Sequence, residues 1–81
     1  MSERIRVYSD GGNIAHKVIE ALKKRRIDVE IVPHNGFRDG VAVASRNFFF
    51  DGLREITKLL LPELEGFYNR MRLKGLVRAR I

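Results

Sequence analysis

The sequence predicts a small α/β domain of two layers, with helices on a mixed sheet of about four strands. Three observations lead to this prediction. Hydrophobic residues alternate in segment 4–8, recur at helical spacing from Ile14, and alternate again in segment 27–32. Two short apolar segments follow at 41–44 and 48–50, before an amphipathic C-terminal region. The predicted order is therefore β-α-β-β-β-α plus a C-terminal helix.

The first three elements have the pattern of a βαβ unit. Segment 4–8 (RIRVY) alternates charged and apolar residues, as a strand with one buried face does. The stripe that begins at Ile14 predicts a helix with one apolar side. Segment 27–32 (IDVEIV) predicts a second strand, which Pro33 ends. Strands joined in this way are normally parallel.

The next segments predict a hairpin and a helix. Segment 41–44 is expected to be the third strand, and 45–47 is expected to turn the chain into a returning strand at 48–50. After Asp51 and Gly52, helical spacing resumes. The apolar side of this helix is predicted to consist of Leu53, Ile56, Leu59 and Leu60.

The whole chain, 1–81, is expected to be one domain. Its core is predicted to be formed by residues 4–61, and residues 62–81 are predicted to be a basic helical extension of that core. Pro62 either starts a further helix at its first turn or separates two helices. Gly75 is expected to end that helix, and 77–81 to be a strand or a frayed end.

Composition limits the chemistry of this chain. It has no cysteine, which excludes disulfides, thiol catalysis, iron–sulfur clusters and Cys-ligated zinc. No apolar run reaches the roughly 20 residues of a membrane span, and the N-terminal residues do not resemble a signal peptide. We therefore expect residence in the cytoplasm without membrane insertion. Many charges without tryptophan or glutamine are typical of a thermophilic source.

The order of elements, with Tyr8-Ser9 ending the first strand before a turn and a helix, resembles a minimal thioredoxin-like or glutaredoxin-like domain. In glutaredoxins an aromatic–hydroxyl pair ends the first strand, and a Cys-x-x-Cys pair caps the first helix. Asn13 and His16 fall at the places of those cysteines. The resemblance covers about residues 4–61 and implies a redox-inactive relative, because disulfide exchange requires a thiolate.

Two further departures from this family are visible in the sequence. Val41 or Ala42 stands near the place of the family's cis-proline, and segment 33–40 is too short for its second helix. The family's activity is therefore not implied for this chain.

The turn between the first strand and the first helix is a candidate anion site. Backbone N–H groups of Gly11, Gly12 and Asn13 would face an anion at the start of the helix. Neither the P-loop nor the dinucleotide-binding glycine pattern is present, and Asp10 would repel a phosphate. The alternative is a strand-to-helix turn capped by Asn13 or Asp10.

The sequence gives no positive sign of catalysis. His16, His34 and Asp10 supply metal-ligating and acid–base side chains, and Ser9 adds the residue types of a hydrolase triad. Their spacing fixes no geometry, and no nucleophile-elbow pattern is present. We expect no catalytic residue, no metal and no cofactor.

Three consecutive phenylalanines form a candidate partner interface. In a strand, Phe48 and Phe50 share one face and Phe49 takes the other. An apolar edge strand must be covered or paired. Either the C-terminal helix covers it with Phe67, Tyr68 and Met71, or a second copy or a protein partner docks there.

The net charge of +6 and the pI near 10.3 favour a nucleic-acid ligand as an alternative. No helix-turn-helix, KH or zinc-finger signature accompanies this charge, although the phenylalanine strand has rings on which bases stack. The candidate contact residues are Lys23, Lys24, Arg25, Arg26, Arg70, Arg72, Lys74, Arg78 and Arg80.

Three functional hypotheses follow. The first is a non-catalytic binding or assembly module that forms a homodimer or binds a protein partner through Phe48–Phe50. The second is a basic nucleic-acid-associated protein. The third is a phosphate or nucleotide binder at Gly11-Gly12.

Overall fold

The computed structural model describes residues 4–77 and confirms the predicted α/β class. Arg78, Arg80 and most of the predicted tail lie outside the described residues. The strands are β1 (Arg4–Ser9), β2 (Asp28–Pro33), β3 (Val41–Ala44) and β4 (Phe49–Asp51). The α-helices are α1 (Asn13–Lys24), α2 (Leu53–Leu59) and α3 (Glu65–Leu73). Single 3₁₀ turns occupy Arg38–Gly40 and Pro62–Leu64.

The four strands form one mixed sheet in the order β2-β1-β3-β4. β1 is parallel to β2, with Arg4 opposite Asp28, as the βαβ pattern predicts. β3 is antiparallel to both β1 and β4, so the predicted hairpin is present, with Val43 opposite Phe50. β1 is therefore an inner strand, whereas β2 and β4 are the edges.

The helices pack on one face of this sheet because the strands alternate. Ile5 and Val7 on β1 are buried, whereas Arg4 and Arg6 between them are exposed. The buried side chains of the first two helices join the same core. Those residues are Ala15, Val18, Ile19, Ala21 and Leu22 from α1, with Leu53 and Ile56 from α2. Within residues 4–77, none of the helices has the length and apolarity that a membrane crossing demands.

The second helix differs from its predicted pattern. Leu59 is 63% exposed and Leu60 is half-buried, whereas Thr57 is buried in their place. The reason is that α2 ends at Leu59, after which the chain turns and buries Leu61 instead. The predicted apolar side is thus confirmed for Leu53 and Ile56 and in part for Leu60, which packs against the core, and is wrong for Leu59.

The C-terminal extension begins and ends as its proline and glycine residues predict. Pro62 occupies the first position of a 3₁₀ turn that leads directly into α3. Gly75 follows α3 with φ of 75°, and the N–H of Leu76 donates to the carbonyl of Met71 over 2.9 Å. This is the Schellman arrangement, for which glycine is favoured. α1 ends in the same way, with Arg26 at φ of 61°.

Candidate functional site on the open face of the sheet

The face of the sheet opposite the core is covered by none of the helices in the described part of the chain, and we name it the open face. The register of the strands determines which residues share it. They are Arg4, Arg6 and Tyr8 on β1, Asp28, Glu30 and Val32 on β2, Ala42 and Ala44 on β3, and Phe49 and Asp51 on β4. Two aromatic side chains on different strands thus point to the same side.

Four rings meet on the open face, and we name them the aromatic cluster: Tyr8, His34, Phe37 and Phe49. Phe37 is at the centre, with its ring centroid 4.6 Å from that of His34, 5.1 Å from Tyr8 and 5.5 Å from Phe49. It connects β1 with β4 across β3, where only alanines occupy this face. Small side chains on the intervening strand therefore leave room for the ring.

The loop between β2 and β3 positions Phe37. The N–H of His34 donates to the carbonyl of Ser9 over 2.9 Å, which fixes the start of the loop on β1. At its end, the N–H of Gly40 donates to the carbonyl of Phe37 over 3.0 Å. Gly40 has φ of 77°, and a Cβ there would collide with the carboxylate of Asp10. Glycine is therefore favoured at this position on both grounds.

The aromatic cluster is accessible from one side. Phe49 is 50% exposed, Tyr8 and Phe37 are half-buried, and His34 is exposed. The rings meet at tilted or edge-on angles, the geometry that aromatic pairs prefer. A flat apolar ligand would therefore find a preformed surface here.

Arginines border this cluster on the open face. A groove of about 300 Å³ is lined by Arg4, Arg6 and Arg46 together with Glu30, Ala44 and Ser45. Arg6 donates to the Tyr8 hydroxyl over 3.4 Å and lies 3.7 Å from Glu30. The hydrogen bond to Tyr8, together with the Glu30 carboxylate, raises the pKa of Arg6.

The three phenylalanines are divided between the two faces, as strand alternation predicts. Phe48 and Phe50 stack with centroids 4.6 Å apart and planes 8° apart, and both pack against the core. β4 begins at Phe49, one residue later than predicted. Only Phe49 of the three joins the open face, so a partner interface formed by all three would require both faces.

In the glycine turn, the side chains of neighbouring residues accept hydrogen bonds from the backbone N–H groups of Gly11 and Gly12. The N–H of Gly11 donates to Ser9 Oγ over 3.0 Å, and the N–H of Gly12 donates to Asp10 Oδ1 over 2.8 Å. Asn13 is the first residue of α1 and does not cap it. No side chain caps α1, so the predicted cap by Asn13 or Asp10 is wrong, whereas the anion site at Gly11, Gly12 and Asn13 stays a prediction.

The two histidines lie apart. His16 is exposed on α1, with Nε2 at 3.3 Å from Glu20 Oε2. His34 belongs to the aromatic cluster, and its Nδ1 accepts from the N–H of Gly36 over 3.0 Å. Among residues 4–77, no group of three His, Asp or Glu side chains is placed to hold a metal.

Those of the basic residues named from the sequence that lie within residues 4–77 belong to the helices and the turns that follow them, not to the aromatic cluster. Lys24 and Arg70 line one groove of about 400 Å³ between α1 and α3. Arg72 lines a different groove, and Arg25 pairs with Glu63. Lys23, Arg26 and Lys74 are exposed. Lys24, Arg70 and the Arg25–Glu63 pair thus meet at one groove, whereas Arg72 lines another, and a nucleic-acid contact by these residues stays a prediction.

Sequence reasoning did not identify the aromatic cluster. Tyr8 alternates with the buried residues of β1, so its outward direction was readable, and the same holds for Phe49 on β4. Phe37 and His34 lie in a loop whose path depends on contacts with Ser9 and Asp10. No periodic signal in the sequence places them.

Comparisons with known proteins provide no relative for this chain. No family model, no curated protein and no solved structure matches it. The sequence and the structure show the class of protein, which is a small cysteine-free α/β domain with a four-stranded mixed sheet. Its function must be argued from its own surfaces.

Proposed function

We propose that this protein is a non-catalytic binding module that takes single-stranded nucleic acid on the open face of its sheet. The observation that supports this most strongly is the aromatic cluster on a sheet face that none of the described helices covers. RNA-binding sheets use the same principle, since aromatic rings on an open sheet stack two or three unpaired bases.

Stacking supplies most of the affinity in this proposal. A base that stacks on an exposed ring contributes about 1–3 kcal/mol, whatever its identity. Phe49, which is half exposed, and Phe37 beside it offer adjoining rings. Bases within a duplex cannot reach such rings, so a strong preference for single strands follows.

Positive charge makes a second contribution to the affinity for nucleic acid in this proposal. The chain has a net charge of +6, and Arg46 lines the groove next to the aromatic cluster. Arg4 and Arg6, in contrast, face the carboxylates of Asp28 and Glu30 across the strands. Since paired arginines gain less from phosphates, we expect binding to weaken with salt but less steeply than for a purely electrostatic binder.

We further propose that the chain is a shortened thioredoxin-like domain that has no redox function, and that it resides in the cytoplasm. The parallel β1–β2 pair joined by α1, followed by an antiparallel hairpin, supports this relationship. In place of the family's second helix the chain has the loop 34–40, which carries Phe37. The place of the redox pair, Asn13 and His16, has no role in the proposal.

Fluorescence anisotropy with labelled single-stranded and duplex oligonucleotides, at low and moderate salt, tests the proposal. Phe49→Ala should weaken single-strand binding about tenfold, because one stacking surface is lost. Leu59→Ala is the matched control, since it also removes an exposed apolar side chain but from α2, and binding should not change. Equal binding of the duplex, or unchanged binding by Phe49→Ala, would contradict the proposal.

Loss of binding on Arg70→Gln and Arg72→Gln, with Phe49→Ala unaffected, would instead assign the nucleic-acid contact to the helical layer. Those arginines lie on α3, so the two sets of variants separate the two surfaces.

The exposure of Phe49 also favours a second candidate function, self-association or docking of a protein partner. Among residues 4–77, β4 pairs only with β3, and an edge strand of this kind can accept another chain. Phe49→Asp should then lower the mass measured by sedimentation while the monomer stays folded. A mass that does not change would argue against assembly through this edge.

A further inference from the structure

A groove between α2 and α3 has the composition of a binding site, and it lies in the helical layer rather than on the open face. Its volume is about 550 Å³, within the range of roughly 300–1,000 Å³ typical of small-molecule sites. α2 contributes Arg54, Thr57 and Lys58, and α3 contributes Glu65, Asn69 and Arg72. The two helices thus place their polar residues around a common space.

The charge of this groove is positive. Arg54, Lys58 and Arg72 face it with one carboxylate, that of Glu65. None of the ion pairs formed within residues 4–77 involves these three cations. Elsewhere in the helical layer a cation does find an acid, since Arg25 bonds Glu63 over 2.6 Å. The groove therefore carries a net positive charge, since three cations and one carboxylate line it.

Thr57 supplies a second, independent observation. It lines the groove, is 3% exposed, and its hydroxyl has no hydrogen-bond partner among the described residues. A buried hydroxyl without a partner is unfavourable, and the great majority of such groups in folded proteins have one. The hydroxyl itself is covered in the structure, but the Thr57 side chain lines the groove, so a rotation about χ1 would turn the hydroxyl toward a ligand oxygen there.

We propose that this groove binds the phosphate monoester group of a small molecule, with Arg54, Lys58 and Arg72 around the charge and the Thr57 hydroxyl donating to one oxygen. Guanidinium, ammonium and hydroxyl groups are the donors that phosphate oxygens accept from. The volume exceeds what a phosphate alone requires, so the proposal includes room for the molecule that carries it.

Amide chemical-shift mapping of the full chain tests this site at constant ionic strength. The probes are inorganic phosphate, a nucleoside 5′-monophosphate and the corresponding uncharged nucleoside. Both phosphates should shift amides in 54–58 and 69–72, whereas the nucleoside should not. Tighter binding of the monophosphate would identify a phosphorylated small molecule as the ligand, and equal binding would identify free phosphate.

Thr57→Val separates a binding role from a structural one. It should weaken phosphate binding about tenfold, since a hydrogen bond to a charged group is lost, and should leave the unfolding midpoint unchanged or higher. Thr57→Ser keeps the hydroxyl and should bind as the natural protein does. Unshifted amides in 54–58 and 69–72 with both phosphates, or full affinity in Thr57→Val, would overturn the proposal.

Amides of β1 and β4 report on the open face in the same spectra, so this result is independent of nucleic-acid binding there. Shifts confined to the groove of Lys24 and Arg70 would also overturn the assignment, because that groove lies between α1 and α3.

Discussion

The two faces of the sheet are built from alternate residues of the same strands but differ in nearly every property. On the covered face, Val7 and Val43 are fully buried and meet the aliphatic side chains of α1 and α2. On the open face, Tyr8 and Phe49 belong to a cluster of rings that remains accessible. Neighbouring residues of one strand thus belong in turn to the core and to the candidate site.

This difference separates the residues that stabilise the fold from those available for binding. The covered face buries side chains that have no polar atoms, so its contribution is hydrophobic and not specific for any ligand. The open face exposes rings, guanidinium groups and carboxylates in a fixed arrangement, because the core on the other side holds the strands. Substitutions on the two faces should therefore have opposite consequences for stability and for binding.

The largest effect on stability is expected for Leu22→Ala on α1. Leu22 is fully buried, and removal of such a side chain leaves a cavity that costs about 2–5 kcal/mol. Phe49→Ala should cost only about 1 kcal/mol, because half of that side chain is already exposed. Urea unfolding followed by circular dichroism measures both values. Equal losses for the two variants would contradict the separation of the faces.

Gly40→Ala is expected to cost about 2 kcal/mol, since it perturbs the loop that positions Phe37. Part of this cost comes from the left-handed conformation, at φ of 77°, and part from a collision with the Asp10 carboxylate. In the Asp10→Ala background the collision is absent, so the same substitution should cost only about 1 kcal/mol. A double-mutant cycle by thermal unfolding measures the difference. The same cost in both backgrounds would show that Asp10 is not the obstacle.

The fold was predictable because its signals are local and periodic. The change of hydrophobic spacing at Ile14 and the alternation in 4–8 are properties of consecutive residues. Gly75 and Pro62 act through their own backbone restrictions, so they too are readable without the structure. The prediction was wrong for Leu59, which is exposed at the end of α2, while Leu61 beyond the helix is buried.

The aromatic cluster was not predictable as a unit because it depends on contacts between distant segments. Phe37 reaches Tyr8 and Phe49 only because β3 lies between β1 and β4 and carries alanines on that face. The groove that contains Thr57 requires the relative placement of α2 and α3. The basic residues, by contrast, were visible in the sequence, but the grooves that Lys24, Arg70 and Arg72 line were not.

The smallest expected effect concerns ion pairs, which also differ between the two sides of the molecule. In the helical layer, Arg25 donates to both carboxylate oxygens of Glu63, over 2.8 and 2.6 Å, and connects segments 38 residues apart. On the open face, Arg4 reaches Asp28 over 3.1 Å through one nitrogen. A bidentate pair is the stronger arrangement.

The hydrogen bond from Arg25 lowers the pKa of Glu63 below its ordinary value of 4.5. A carboxyl whose pKa is lower in the folded state stabilises the fold above its unfolded pKa. That contribution should be fully present above about pH 5 and be lost as the pH falls through the folded pKa. Its size should stay below about 1 kcal/mol, because the side chains are 39% and 43% exposed and solvent screens them.

Urea unfolding between pH 3 and about pH 7 measures this contribution as the difference between the natural protein and Glu63→Gln. The difference should shrink as the solution is acidified, and Arg25→Gln should remove the same pH dependence. A difference that does not change with pH would mean that Glu63 contributes through packing alone. In that case the ion pairs of the helical layer would not differ in kind from the cross-strand pairs of the open face.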